Sequence, residues 1–230
     1  MIGLAGDQAI KALRHAQVWE SVTRSFPTVA HWIDGEPISD VMPMAGILDR
    51  RRCFVIDDAP IATGVVPLGD AWACTNPSAA RGFSLGIWQA TLLRDAVGRH
   101  ADDPVSLVVD YAGATERLLT PWFQDQNDRD RQRAAQFRAL LEGRPLEPNP
   151  AHAMELALIS AVRDDPEAAR GWFDIFGCLA LPNEVLGRPG MRDRLSAYMG
   201  RPMAPPPGPT RDELLALLGT TGRMPVAAGH

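Results

Sequence analysis

The sequence predicts an α+β protein in which short strands in the first third give way to a mainly helical remainder. Three observations carry that expectation. Between Val29 and Gly69 brief apolar runs are broken by Gly, Pro and Asp; beyond Ser84 apolar residues recur at three- and four-residue spacing; and proline-marked helix starts punctuate the later chain. The 230 residues, 46% hydrophobic and 22% charged, suffice for one large domain or two small ones at about 150 residues each. A chain of this length buries roughly 70% of its unfolded surface, so its core needs no disulfide or metal staple.

Taken in order, Ile10, Leu13, Val18 and Val22 fit a helical stripe from Asp7 to Val22 that Phe26-Pro27 ends. The runs Val41–Ile47, Cys53–Ile56 and Gly64–Leu68 read as strands, with turns at Asp34-Gly35 and Asp57-Asp58-Ala59-Pro60. After Ser84 the residues Leu85, Trp88, Leu92 and Ala96 share one helical side, with Arg94, Asp95 and Arg99 off it. Thr120-Pro121 and Asp165-Pro166 each offer an N-cap followed by a proline whose missing N–H costs nothing in the first turn. Two long helices are expected after them. Trp122–Leu141 carries a dense charged face, read as a solvated surface, and Pro166–Leu181 holds Trp172, Phe173, Ile175, Phe176 and Leu179, which calls for burial in the core or against a partner. Pro205–Pro209 reads as a stiff linker, and Thr210-Arg211-Asp212-Glu213 opens a last short amphipathic helix.

Charge and cysteine usage exclude several classes. Twenty-three basic against 28 acidic residues give a net charge of −5, with no basic block long enough to track a phosphate backbone, so nucleic acid is not an expected partner. Lys11 is the only lysine, an arginine bias that reads as a codon effect of a G+C-rich genome. Cys53, Cys74 and Cys178 are far apart and show no C-x-x-C spacing, which points to a reducing, cytoplasmic setting. The first residues, Met1–Asp7, lack the basic start and uninterrupted apolar stretch of a secretory leader. No window approaches the ~18 apolar residues of a membrane span. The five histidines show no metal-ligand spacing, and no metal site is expected.

The stretch that carries chemistry runs from Gly64 to Gly86. It reads as a buried strand ending in Gly69-Asp70, a small-residue loop containing Pro77, and Gly82 opening a helix. Gly69 lets the chain turn and a ligand approach the backbone, while Asp70 offers a carboxylate to the hydroxyls of a polyol. The helix from Gly82 turns free N–H groups and its positive dipole end toward the same space. For Asp70 the plain alternative is a turn or cap residue after a strand.

At Gly69, Asp70, Ala71, Pro77 and Gly82 the sequence resembles the second flavin motif of the FAD-dependent oxidoreductases of the p-hydroxybenzoate hydroxylase fold. That group includes aromatic hydroxylases, flavin halogenases and geranylgeranyl-reductase-like enzymes. The resemblance implies that Asp70 binds the ribityl chain of FAD and that the turn from Pro77 to Leu85 lies against the isoalloxazine ring. Backbone N–H groups near Gly82, Phe83 and Ser84 would then face the flavin's pyrimidine carbonyl and stabilise its reduced form. Ala30–Pro37, Leu48–Arg52 and Cys178–Pro182 are similar, more loosely, to stretches of bacterial members, without an assignable role. The resemblance divides the chain into a partial substrate-domain sheet (1–62), the second FAD-binding motif (63–100), a helical carboxyl-terminal region (101–204) and a Pro-rich linker with terminal helix (205–230).

Two departures accompany it. Ala79-Ala80 stands where the family has Gly, which suits alanine only if the backbone keeps a negative φ. No G-x-G-x-x-G occurs, although the family's first motif places the FAD pyrophosphate on such a turn. The chain thus resembles the carboxyl-terminal portion of a monooxygenase-like flavoenzyme acting on an undetermined small molecule, with a partner chain as one source of the dinucleotide-binding half. The reading from another class is a non-catalytic interaction protein derived from that fold. No catalytic residue is assignable.

Other candidates have plainer explanations. Gly82-Phe83-Ser84-Leu85-Gly86 satisfies the G-x-S-x-G pattern of a hydrolase elbow, but that motif needs a strand running into the serine, and loop is expected there. Arg81 is a candidate phosphate or substrate contact or an ion-paired arginine. His31 beside Trp32 reads as a pocket residue or a partly buried structural histidine, and Cys74 as a group facing the ligand or a small buried thiol.

Overall fold

The computed structural model describes residues 7–44, 48–145, 149–201 and 207–220, and these fold mainly as helices with a few short antiparallel strands. The chain divides into two compact units, one joining Met1–Gly46 to Met203–His230 and the other comprising Ile47–Pro202.

In the first unit the expected opening helix is two pieces. A 3-10 turn, Ala9–Arg14, is separated from α1 (Ala16–Arg24) by His15, whose extended backbone (φ −87°, ψ 125°) breaks the helix. A second 3-10 turn, Ala30–Ile33, follows, and His31 and Trp32 lie exposed there in an edge-to-face pair, so His31 is not the partly buried residue expected. The last helix, α9 (Arg211–Thr220), starts on a reciprocal cap: Thr210 Oγ1 accepts the Glu213 N–H while Glu213 Oε2 accepts the Thr210 N–H. Leu218 of α9 is buried with Val18 and Val22 of α1. Asp7 and Arg211 close the unit with a 2.7 Å ion pair. Of the expected run Val41–Ile47, residues 41–44 are not strand and 45–47 lie outside the described residues, as do 205–206 of the proline linker and residues 1–6.

The second unit opens with the only regular strand pairs among the described residues. β1 (Arg50–Arg51) pairs antiparallel with β4 (Ala73–Cys74), Arg50 opposite Cys74, and β2 (Val55–Ile56) pairs with β3 (Ala59–Pro60). Asp57 and Asp58 join β2 to β3 with φ of 49° and 59°, the left-handed pair that a two-residue hairpin demands. The expected strand Gly64–Leu68 does not form. Among the described residues no stretch pairs with it in a ladder; Val65 and Leu68 are exposed, and the stretch is fixed instead by Tyr111 of α3, whose hydroxyl donates to the Pro67 carbonyl at 2.5 Å.

The remaining helices are α2 (Gly82–Arg99), α3 (Pro104–Leu118), α4 (Thr120–Leu141), α5 (Pro150–Ala161), α6 (Pro166–Phe176), α7 (Pro182–Leu186) and α8 (Met191–Ser196). Asp103, Asn149 and Asp165 cap α3, α5 and α6, each side chain accepting two backbone N–H groups ahead of a proline. Thr120 is not the cap expected of it. Its hydroxyl donates to Glu116 Oε2 and Leu119 takes the cap position. The helix expected to reach Leu181 stops at Phe176, because Cys178 adopts a left-handed φ of 58° while the Leu179 and Cys178 N–H groups close on the Asp174 and Ile175 carbonyls.

Two cores hold this unit. One gathers Leu158, Ala161, Ile175, Val185, Met191 and Leu195 from α5 to α8, where a Cβ on Gly171 would lie 2.6 Å from Val185 Cγ1, so only glycine permits that helix approach. The other packs Trp72, Leu85, Leu119, Trp122 and Cys178 beneath the start of α2.

Candidate functional site

Five of the seven residues singled out from the sequence line one cleft of about 570 Å³: Gly69, Asp70, Pro77, Gly82 and Phe83. Leu68, Thr75, Ala80, Gly86, Ile87 and Ala90 complete its walls. Ala71 and Ser84 do not join them. Ala71 follows Asp70 in the turn, and Ser84 is exposed on the first turn of α2. Ser84 is preceded by loop and sits within the helix, so the strand-to-serine geometry of a hydrolase elbow is not formed.

The turn that carries Asp70 is a 3-10 turn, Gly69–Ala71, which Gly69 enters with φ +56°, a conformation glycine adopts without penalty. Two side chains distant in sequence hold it. From α2, Gln89 Oε1 accepts the Gly69 N–H at 2.8 Å; the donor identifies that atom as the oxygen. From the loop after β1, Arg52 Nη1 donates to the Ala71 carbonyl at 2.8 Å and the Asp70 carbonyl at 3.3 Å. Gln89 is 1% exposed, and its Nε2 is a buried donor with no acceptor. Sequence reasoning missed it, although one polar residue on an apolar stripe with Leu85, Leu92 and Ala96 is a legible signal.

The Asp70 carboxylate is exposed and faces the start of α2: a Cβ built on Gly82 would lie 4.0 Å from Asp70 Oδ1. Helix α2 begins without a side-chain cap, so the N–H groups of Gly82, Phe83 and Ser84 have no intrahelical acceptor, and the nearby carboxylate complements the helix's positive end. Along the same helix Phe83 (82% exposed), Ile87 and Ala90 give the cleft an apolar wall, with Pro77 and Ala80 contributing from the loop.

That loop is fastened from behind by α4. Asn76 Nδ2 donates to Asp130 Oδ1, Arg133 Nη2 donates to Ser78 Oγ, and Arg81 Nη1 meets Asp125 Oδ2 at 2.8 Å. Arg81 is 9% exposed and Asp125 15%, with the guanidinium 5.1 Å from the centre of the Trp122 ring, so the ion-paired alternative holds for Arg81. Arg129 also binds Asp125 and continues to Glu155. Burial pushes the Glu155 carboxyl above its ordinary range, with Arg129 opposing. The charged face of α4 is therefore not simply solvated; only members such as Asp128 and Arg131 stand in solvent. Between these anchors Ala80 takes φ +53°, the left-handed form glycine favours, so the negative φ under which alanine suits this position is not met.

Cys74 is half-buried in β4, and burial raises the thiol of Cys178, which lies in the core beneath α2. A second cleft of about 550 Å³, in the terminal unit, is lined by Ser25, Pro27, Gly208, Pro209, Glu213, Ala216 and Leu217 and holds no candidate residue. Among the described residues no cluster of three or more metal-ligating side chains occurs, and no helix is long and apolar enough to cross a membrane. Comparison with family models, with curated proteins and with solved structures gave no match.

Proposed function

We propose that this chain contributes the second flavin motif of an FAD-dependent, monooxygenase-like oxidoreductase acting on a small organic substrate, and that the cleft at Gly69, Asp70 and Gly82 holds the flavin. The observation that carries the reading is the convergence on one cleft of Gly69, Asp70, Pro77, Gly82 and Phe83. The donor set suits such a ligand. Asp70 accepts hydrogen bonds from a hydroxylated chain, the first-turn N–H groups of α2 face ring carbonyls, and Phe83, Ile87 and Pro77 shield a planar ring from water. Flavin bound there supplies the electron transfer, taken from an external donor and passed to oxygen or to an unsaturated substrate.

The energetics keep binding by this cleft modest. A charge-assisted hydrogen bond at Asp70 contributes about 1.5–3 kcal/mol, against the 8.2 kcal/mol or so that corresponds to micromolar affinity. Tighter binding calls for a dinucleotide-binding half, and a partner chain is one source of it. A second reading, a non-catalytic interaction module, is favoured by the exposure of Phe173, Phe176 and Leu179 (64%, 61% and 78%) at the end of α6. Purified chain titrated with FAD separates the two. Quenching of flavin fluorescence that is lost in Asp70→Ala supports the flavin reading, and no binding at high FAD removes it.

A further inference from the structure

The end of α6 carries an apolar face that the fold leaves uncovered. Ala168, Gly171 and Ile175 turn inward to the core shared by α5 to α8. Opposite them Phe173 and Phe176, three residues apart on the helix, stand 64% and 61% exposed, and Leu179 is 78% exposed. Leu179 belongs to the same face. The turn that ends α6 folds it back, so that a Cβ on Gly177 would lie 3.7 Å from Leu179 Cγ. Of the aromatic residues expected to be buried here, Trp172 packs against the core, whereas Phe173 and Phe176 remain in solvent.

The face is complementary to itself. At about 100° per residue, Ala169 and Phe176 flank Phe173 on one side and Arg170 and Gly177 on the other. An antiparallel two-fold through Phe173 therefore sets the Phe176 ring of one copy over Ala169 of the other, and Arg170 over Gly177, a large residue against a small one at each contact. Charge does not oppose the contact. Glu167 pairs with Arg170, and Asp174 with Arg188 at 2.6 Å, so the rim is neutral although the chain as a whole carries −5.

We infer that this face is a homodimer interface, in which a second copy of the chain covers Phe173, Phe176 and Leu179 by antiparallel packing of α6 about a two-fold axis. The area fits a weak dimer. With side-chain surfaces of about 200 Å² each, the exposed parts of these three residues amount to roughly 400 Å² per copy. Two copies then bury roughly 800 Å², and the flanking Ala169, Arg170 and Gly177 bring the contact to about 1,000–1,200 Å², the size of a reversible association. A patch covered by a second copy needs no outside protein, so its exposure ceases to favour the interaction-module reading. The inference is independent of what the cleft at Asp70 binds.

Sedimentation equilibrium of the full chain from about 1 µM to about 1 mM reads the association. A reversible monomer–dimer equilibrium with a midpoint of about 10–100 µM is expected. A chain that stays monomeric throughout, or that assembles beyond a dimer, overturns the inference. Phe173→Glu brings two carboxylates together at the axis and should weaken the dimer about tenfold or more. Its urea midpoint at monomer concentration should match the native chain, since Phe173 is exposed. A smaller loss of association overturns the placement on α6. Mild oxidation of Phe173→Cys in a Cys53→Ser background, which removes the exposed native thiol, tests the axis without relying on that variant. A residue on the axis meets itself, so a disulfide-linked dimer should form about tenfold faster or more than from Arg131→Cys in the same background, whose side chain stands in solvent on α4. A smaller ratio overturns the two-fold arrangement.

Discussion

Gln89 and Gly69, twenty residues apart, are joined by a 2.8 Å hydrogen bond from the glycine N–H to the buried side-chain oxygen, and that bond fixes the turn presenting Asp70. Replacing Gln89 with Leu makes the stripe continuously apolar but leaves the Gly69 N–H without its acceptor. An unsatisfied buried donor costs about 1–3 kcal/mol. The orphan Nε2 disappears in the same change and returns part of that, so a net loss near 1 kcal/mol is expected, read as a lower urea midpoint. Amide exchange should quicken at Gly69–Ala71 before it does in α2.

Ala80 at φ +53° stores strain that glycine does not. The left-handed conformation costs an L-residue about 1–2 kcal/mol, offset by the extra freedom glycine has in the unfolded chain. Ala80→Gly should therefore stabilise the protein by about 0.5–1 kcal/mol, a rise of about 1–4 °C in melting temperature for a unit of this size. A fall in the calorimetric midpoint would show that the methyl group's contacts in the cleft wall outweigh its backbone strain.

What the sequence shows of this architecture depends on how local each signal is. Asp165-Pro166 reads correctly as a helix start because cap and proline act within one turn, and Asp103-Pro104 and Asn149-Pro150 carry the same legible device. Thr120-Pro121 has the same letters but a different outcome, since Glu116 on the preceding helix claims the hydroxyl. Gly64–Leu68 has strand-like composition, yet a strand needs a pairing neighbour, and Tyr111, 44 residues from Pro67, takes the carbonyl instead. In the cleft, Gly69, Asp70 and Gly82 are legible because the motif is contiguous. The residues that hold it, Gln89, Arg52 and Asp125, come from separate elements and become visible only when the chain is folded.

The pairing of Asp7 with Arg211 ties the first described residue of the chain to its last helix and gives the terminal unit an acid limit. The hydrogen bond from Arg211 holds the Asp7 carboxyl below its ordinary 3.8 despite the opposing effect of burial. A carboxyl with a depressed folded pKa contributes stability that is present above about pH 4 and lost as pH falls through the folded value. Asp7→Asn should remove about 1 kcal/mol at neutral pH, because Arg211 remains partly solvated. The difference between variant and native chain should narrow as pH falls below the ordinary 3.8 of an aspartate. Amide exchange in α1 and α9 measures it locally, and an undiminished gap in acid would show that the carboxylate charge is not its source.

Tyr111 sets the opposite, alkaline limit. Its hydroxyl donates to the Pro67 carbonyl in the interior, and burial pushes the phenol from 10.0 up to about 12, with Thr115 opposing. Only the neutral phenol can make that donation. The unfolded chain releases the proton near pH 10, whereas the folded chain holds it to about pH 12. The phenol's contribution is thus complete below pH 10, declines between pH 10 and 12 and is gone above. Tyr111→Phe should cost about 1 kcal/mol at neutral pH by leaving the Pro67 carbonyl unpaired. It should also flatten the loss of stability across that alkaline window, followed by urea unfolding at stepped pH. Because Pro67 leads directly into Leu68 and the Gly69 turn, the same variant should weaken flavin binding more than Ala80→Gly does. Equal affinities would separate the anchor at Pro67 from the geometry of Asp70.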